Sequence, residues 1–217
     1  MSDFACWHNI FSGCSFTEKS ERPFYRTQIM ASSLRSLVTV LLLLGLNGPF
    51  AQAQTSHAVK VAVVKYTGGG DWYQGQTPLP NFLRYLRENT LLDVAPEADV
   101  VELTSDKLFT YPFLFLSGHG NMIFSSDEAQ RLRRYLEGGG FLYVDDDYGM
   151  DEYLRREMKK VFPESDFVEL PFTHPIYHTH YEFERGLPKI HEHDNKPAQG
   201  FGIMQDGRLV VYYTYET

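Results

Sequence analysis

Between residues 58 and 163 the chain alternates short, almost wholly apolar runs with segments whose apolar residues recur at helical spacing. Val59, Val61 and the "VAVV" run from Val61 to Val64 are β-branched with no polar alternation, which predicts a strand covered on both faces. The run breaks into Gly68-Gly69-Gly70, after which Thr77 can cap and Pro78 can open a helix whose Leu79, Phe82 and Leu86 share a face. "ADVVEL" (98–103) reads as a short second strand. "FLFL" (113–116) is a second fully apolar run and ends in Ser117-Gly118-His119-Gly120. Ser125 and Glu128 have the spacing of a capping box, and Ala129, Leu132 and Leu136 line one face of the helix that follows, up to Gly138. "FLYV" (141–144) is the fourth strand, and its helix runs from about Asp151 through Leu154, Met158 and Val161 until Pro163 ends it.

Apolar strands separated by amphipathic helices imply a parallel sheet with helices on both faces. From Phe167 the pattern changes to the short runs "FVEL", "YHTHYEFE", "GFGIM" and "RLVVYYTY", the last two joined by Asp206-Gly207, a strong hairpin signal. The expected fold is therefore α/β, a three-layer sheet with parallel central strands and an antiparallel C-terminal hairpin region.

In such sheets ligands sit beyond the carboxyl ends of the strands. Four loops would gather there: Asp71-Trp72-Tyr73, Ser117-Gly118-His119-Gly120, Asp145-Asp146-Asp147 and His174-Pro175. They supply two imidazoles, several carboxylates and an aromatic wall, residue types suited to acid/base work or to holding a cation. His119, Asp145 and Asp146 are the candidate catalytic residues, with Asp71, Trp72, Gly118, Gly120 and His174 as ligand-binding residues. Plainer roles compete with these. The glycines can simply turn a corner, and Asp147 can cap the following helix. If Asp145 and Asp146 share a crevice, their repulsion should raise one carboxylate pKa or recruit a cation. In "YHTHYEFE" a strand would place His178, His180, Glu182 and Glu184 on one face, a pattern that holds a transition metal or is merely wet. His191-Glu192-His193 sits in a polar loop. Gly68-Gly69-Gly70 could cradle a phosphate but lacks the spacing of a dinucleotide fingerprint or a P-loop, so the cofactor is unknown, and the Gly-x-Ser-x-Gly of a serine elbow is absent.

The N-terminal quarter changes the domain count. Leu37 to Leu46 is an apolar stretch of signal-peptide length, followed by Ala51-Gln52-Ala53, a small-x-small cleavage site. Residues 30–53 are thus expected to be a signal peptide, residues 1–29 a non-native upstream extension, and residues 54–217 a single exported domain, periplasmic or extracellular. No other stretch approaches the roughly 20 apolar residues of a membrane span, so no membrane association is expected after cleavage. Both cysteines, Cys6 and Cys14, precede that boundary, leaving residues 54–217 with neither a disulfide nor a thiol nucleophile. The same residues carry 16 Lys and Arg against 25 Asp and Glu, a formal charge of −9 that argues against a nucleic-acid partner.

"LFLSGHG", "SSDEAQRLRRYLEGGGFLYVDD", "LPFTHPIYH" and "DGRLVVYYT" in this order resemble the bacterial family of domain of unknown function 4159, over residues 58–217. That family is considered similar in fold to the class I glutamine amidotransferases. The resemblance implies that the loop after the "FLYV" strand is where such enzymes carry a nucleophilic cysteine, and here Asp145 or Asp146 stands there instead. Glutaminase chemistry of that kind needs the thiolate. Family members commonly continue past the "GRLVVYYT" strand, so the resemblance also implies either a fragment or a short form. The leading expectation is a domain that binds a small polar ligand. The rivals are a hydrolase, metal-dependent or not, using His119 with Asp145 and Asp146, and a protein-interaction module that adds the strand after His174 to a partner's sheet.

Overall fold

A computed structural model describes residues 58–73, 78–189, 193 and 195–215. The expected leader, both cysteines, Thr77 and the His191-Glu192 pair lie outside the described residues.

Seven strands form one sheet: β1 (Val61–Lys65), β2 (Asp99–Glu102), β3 (Phe113–His119), β4 (Phe141–Tyr148), β5 (Val168–Glu169), β6 (Gln199–Gln205) and β7 (Arg208–Tyr215). Their order is β2-β1-β3-β4-β7-β6-β5. The first five in that order run parallel, β6 is antiparallel to β7, and β5 is antiparallel to β6. The helices are α1 (Pro78–Asn89), α2 (Ser126–Glu137) and α3 (Asp151–Val161). This is the expected α/β sheet, with the C-terminal hairpin folded into its middle.

The double apolarity of β1 and β3 is used on both sides. Ala62, Val64, Leu114 and Leu116 join the core beneath α2 and α3, which also holds Leu132, Leu136, Leu154 and Met158. Val61 and Phe115 face the other way, against Leu79 and Leu83 of α1. Pro78 opens α1, where its fixed φ suits the first turn and its missing N–H costs nothing. Both bonds of the Ser125–Glu128 capping box are present, at 3.2 Å and 2.7 Å. Asp206 and Gly207 turn the β6–β7 hairpin with φ of 50° and 77°, the left-handed pair that matches the twist of the strands.

Two elements differ from expectation. β4 does not stop at Val144 but continues through all three aspartates to Tyr148. Aspartate is a poor strand former, yet here pairing partners exist on both sides: Ser117 and Gly118 on β3, Thr214 and Tyr215 on β7. The "YHTHYEFE" segment, in turn, is no strand. Pro175–Tyr177 forms a 3-10 turn capped by His174, and the chain then bends across the sheet. His178 fixes this shape, with Nδ1 2.6 Å from Glu182 Oε2 and Nε2 2.7 Å from the Phe172 carbonyl. A strand face of His178, His180, Glu182 and Glu184 therefore does not form, and among the described residues the segment directly after His174 offers no strand edge. The resulting strap covers Tyr212 and Tyr143 with Tyr177, Phe172 and Ile176. It reaches α1 through Tyr85, whose hydroxyl meets His180 Nε2 at 2.7 Å and the Tyr181 hydroxyl at 2.5 Å.

Candidate functional site

The residues nominated at the carboxyl edge separate into three places. The first is a crown formed by the ends of β1 and β3. Asp71 accepts the backbone N–H of His119, and its other oxygen lies 3.1 Å from His119 Nδ1. Two anchors on one carboxylate fix both the backbone and the ring. The imidazole is 48 % exposed while Asp71 is 22 % exposed, so the pair is buried on its carboxylate side and open on its nitrogen side. Asp71 engages Nδ1, which leaves Nε2 as the ring nitrogen turned away from the carboxylate.

The glycines of this crown serve different purposes. Gly118 adopts φ +145°, and a Cβ there would collide with the Tyr66 hydroxyl. It admits a side chain of the protein's own: Tyr66 donates to the Ser117 carbonyl at 3.3 Å. Burial first, then the charges of Asp71, Asp147 and Asp146, push the Tyr66 phenol above its usual range, so it remains a neutral donor. Gly120 has φ +71° with open space around it. Trp72 packs against the main core with its ring edge-on to Tyr73 at 5.8 Å, so it supports the loop that carries Asp71.

The second place is a cleft on the sheet face between α1 and the strap, with a volume of about 520 Å³. Strand alternation turns Phe141, Tyr143 and Asp145 to this face and Leu142, Val144 and Asp146 to the other. The floor is a ladder of rings on neighbouring strands: Phe115 to Tyr143 at 5.7 Å and Tyr143 to Tyr212 at 5.8 Å, the latter pair stacked. Asp145 is the carboxylate of the cleft, and Thr214 Oγ1 donates to its Oδ1 at 2.9 Å.

The third place is the core. Asp146 is fully buried, its Oδ1 accepting the Met150 N–H at 3.1 Å and its Oδ2 the Tyr213 hydroxyl at 2.9 Å. It thereby supplies the first turn of α3, whose own cap residue Met150 has no side-chain oxygen. That role belongs to Asp146 rather than to Asp147, which instead receives the Ser117 hydroxyl at 3.3 Å. Asp145 and Asp146 thus occupy opposite faces of the sheet and share no crevice. His174 caps its 3-10 turn, its Nδ1 accepting the Ile176 N–H at 3.2 Å, and it belongs to the strap, not the crown.

Among the described residues no three His, Cys, Asp or Glu side chains converge as metal ligands, and no helix is long and apolar enough to cross a membrane. Sequence reasoning passed over the ring ladder, although Phe113, Phe115, Tyr143 and Tyr212 are all set by period-2 alternation within runs it identified as strands.

Comparison with known proteins places the chain. The model of a family described as "Domain of unknown function (DUF4159)" matches residues 60–217, and the chain belongs to that family. No curated protein matches it significantly.

Proposed function

We propose that this is an exported domain that binds a small polar ligand at the carboxyl edge of its sheet, with His119 as the group that meets it. The observation that carries this is the Asp71–His119 pair, in which one carboxylate holds both the backbone and Nδ1 of a half-exposed histidine. An imidazole so fixed presents one defined ring nitrogen, Nε2, to the space above the β3 end, where Gly120 leaves the surface open. Orientation of this kind lowers the entropy cost of making a hydrogen bond to a ligand.

The same geometry favours one rival. A carboxylate on Nδ1 is what orients a histidine to take a proton from water, and would make His119 the general base of a hydrolase. Ser117 is not the nucleophile of such a reaction, since it is buried and its hydroxyl is directed to Asp147.

Titration of the protein with acetate, phosphate and glutamine, followed by the His119 imidazole resonances, tests the reading, together with p-nitrophenyl acetate and p-nitrophenyl phosphate as substrates. Saturable shifts that weaken in Asp71→Asn, with no release of nitrophenol, support a binding site. Nitrophenol release that depends on His119 selects the hydrolase. Silence in both assays overturns the His119 site.

A further inference from the structure

The strap, residues 171–187, walls one side of the sheet-face cleft with Ile176 and Thr179. Its backbone is held by the 3-10 turn Pro175–Tyr177 and by short-range bonds, the Phe183 N–H to the Tyr177 carbonyl at 3.0 Å and the Gly186 N–H to the Phe183 carbonyl at 3.1 Å. A segment ordered by turns depends on side chains to keep its path. His178 stands between the two cleft-lining residues and staples the strap in both directions: Nε2 reaches the Phe172 carbonyl six positions before it, and Nδ1 reaches Glu182 four positions after it.

Both partners of this ring can only accept. A carboxylate and a backbone carbonyl have no proton to give, so each contact is a hydrogen bond only when the nitrogen facing it carries one. The neutral imidazole has a single N–H. Its deprotonation therefore sets a lone pair against a lone pair at one of the two contacts, and that end of the staple is pushed away. The charges near the ring act in the same sense, since Glu182 and then Glu184 both favour the imidazolium. Beneath the strap stand the phenols of Tyr143 and Tyr212, which burial pushes above their usual range and which stay neutral throughout. From α1, Tyr85 meets His180 and Tyr181.

We infer that the His178 imidazolium is the latch of the strap, holding that wall of the cleft in place while protonated and releasing it when the proton is lost. The direction follows from linkage. Hydrogen bonds to Glu182 and to the Phe172 carbonyl raise the folded pKa above the ordinary 6.5, so the stability that they contribute is fully present below 6.5 and is lost as pH rises through the folded value. His174 works in the opposite sense, because its Nδ1 accepts the Ile176 N–H and must be unprotonated to do so. Loosening by base thus belongs to His178, and loosening by acid to His174.

An NMR titration of the histidine rings from about pH 5 to 9, combined with amide exchange in the strap, tests the latch on the whole protein. His178 should titrate above 6.5. Exchange at the Tyr177, His178, Phe183 and Gly186 amides, corrected for the intrinsic rate, should quicken several-fold through the same midpoint, while Leu132 and Leu136 of α2 keep their protection. Glu182→Gln should lower the midpoint, and because the Glu182 side chain is 74 % exposed this variant leaves the fold in place. His178→Gln should remove the step and His180→Gln should keep it. A His178 midpoint at or below 6.5, strap exchange indifferent to pH, protection lost toward acid instead of base, or a step that survives in His178→Gln would each overturn the latch. The crown is read at His119, so either inference can fail without the other.

Discussion

Of three consecutive aspartates, strand geometry turns Asp146 to the face opposite Asp145 and Asp147, since successive side chains alternate. Asp145 stands in the cleft, Asp146 in the core, and Asp147 meets Ser117. Burial first, then the charges of Asp146 and Asp151, push the Tyr213 phenol far above its usual range, so Tyr213 is a permanent neutral donor to Asp146. Removing Asp146 leaves the Met150 N–H buried without this acceptor, while Tyr213 keeps a bond to Asp151. Asp146→Ala is therefore expected to destabilise the fold by about 2–3 kcal/mol, the usual cost of stranding a buried donor that met a charge. Asp145→Asn, on the partly exposed face, is expected to lie within about 0.5 kcal/mol of the parent. Urea unfolding of the two variants checks the contrast, and equal losses would mean that Asp145 is as architectural as Asp146. The sequence makes the three carboxylates conspicuous, and period 2 would have sorted them. What it lacks is the knowledge that the strand continues through them, because that continuation is imposed by the flanking β3 and β7 rather than by aspartate's own preference.

At the scale of elements, α2 and α3 are secured in different ways. The capping box of α2 is local and therefore visible as Ser125-x-x-Glu128. α3 is held by Asp146, which accepts the Met150 N–H just before its first turn, and by Glu157 in its middle, whose bond to Phe124 spans 33 positions. Glu157 is fully buried and accepts the Phe124 N–H at 2.7 Å, Arg156 Nε at 2.7 Å and Lys160 Nζ at 2.6 Å. Burial pushes its carboxyl up, but the donors from Lys160, the Phe124 backbone and Arg156 together outweigh it and hold the pKa below the ordinary value. A carboxylate whose folded pKa is depressed adds stability that is present above its unfolded pKa, near 4.5, and is lost as pH falls through the lower folded value. Glu157→Gln should thus flatten the acid limb of the stability profile below about pH 4.5 and lower stability at neutral pH by about 3 kcal/mol, the lower end for a broken buried pair since both cations are half-exposed. Thermal melts between pH 3 and 7 give the comparison, and parallel profiles for variant and parent would show that Glu157 does not hold α3. The strap is the counterpart in which a pattern misled. "YHTHYEFE" alternates as a strand does, but Pro175 cannot donate to a ladder and His178 instead satisfies Phe172 and Glu182 close by. Hydrogen bonding to Glu182, then to the Phe172 carbonyl, raises the His178 pKa, since both acceptors favour the doubly protonated ring.

On the scale of the whole molecule, the C-terminal hairpin is not an appendage. β7 lies between β4 and β6 and pairs in parallel with β4 from Leu142–Val211 to Asp146–Tyr215, so the last strand in the sequence completes the centre of the sheet and the floor of the cleft. The compact unit that contains all seven strands spans Thr55–Thr217. The small-x-small site at Ala51-Gln52-Ala53 lies immediately before it. Cleavage there would release that unit whole. The proposed cleavage is expected to leave a chain that starts near Gln54, and residues 54–217 produced without the preceding segment should melt as one cooperative transition. N-terminal sequencing of secreted protein checks the first, and recovery of a chain that still begins at Met1 would defeat the proposed leader.

What the sequence by itself determined is everything that depends on near neighbours. Short apolar runs, valine-rich in β1 and Phe-Leu-Phe-Leu in β3, made those strands, helical spacing made α2 and α3, Ser125-Glu128 capped α2, Pro78 opened α1 and Asp206-Gly207 turned the hairpin. The α/β class followed from their alternation, and the carboxyl edge as the place to look for chemistry followed from the class. Only the tertiary structure decided which residues share a site. Asp71 and His119 are 48 positions apart, Asp145 and Thr214 are 69 apart, and Phe115, Tyr143 and Tyr212 come from three strands. Contacts of that range depend on strand order and register, which are set by the burial of the sheet as a whole and leave no local mark on the residues that meet.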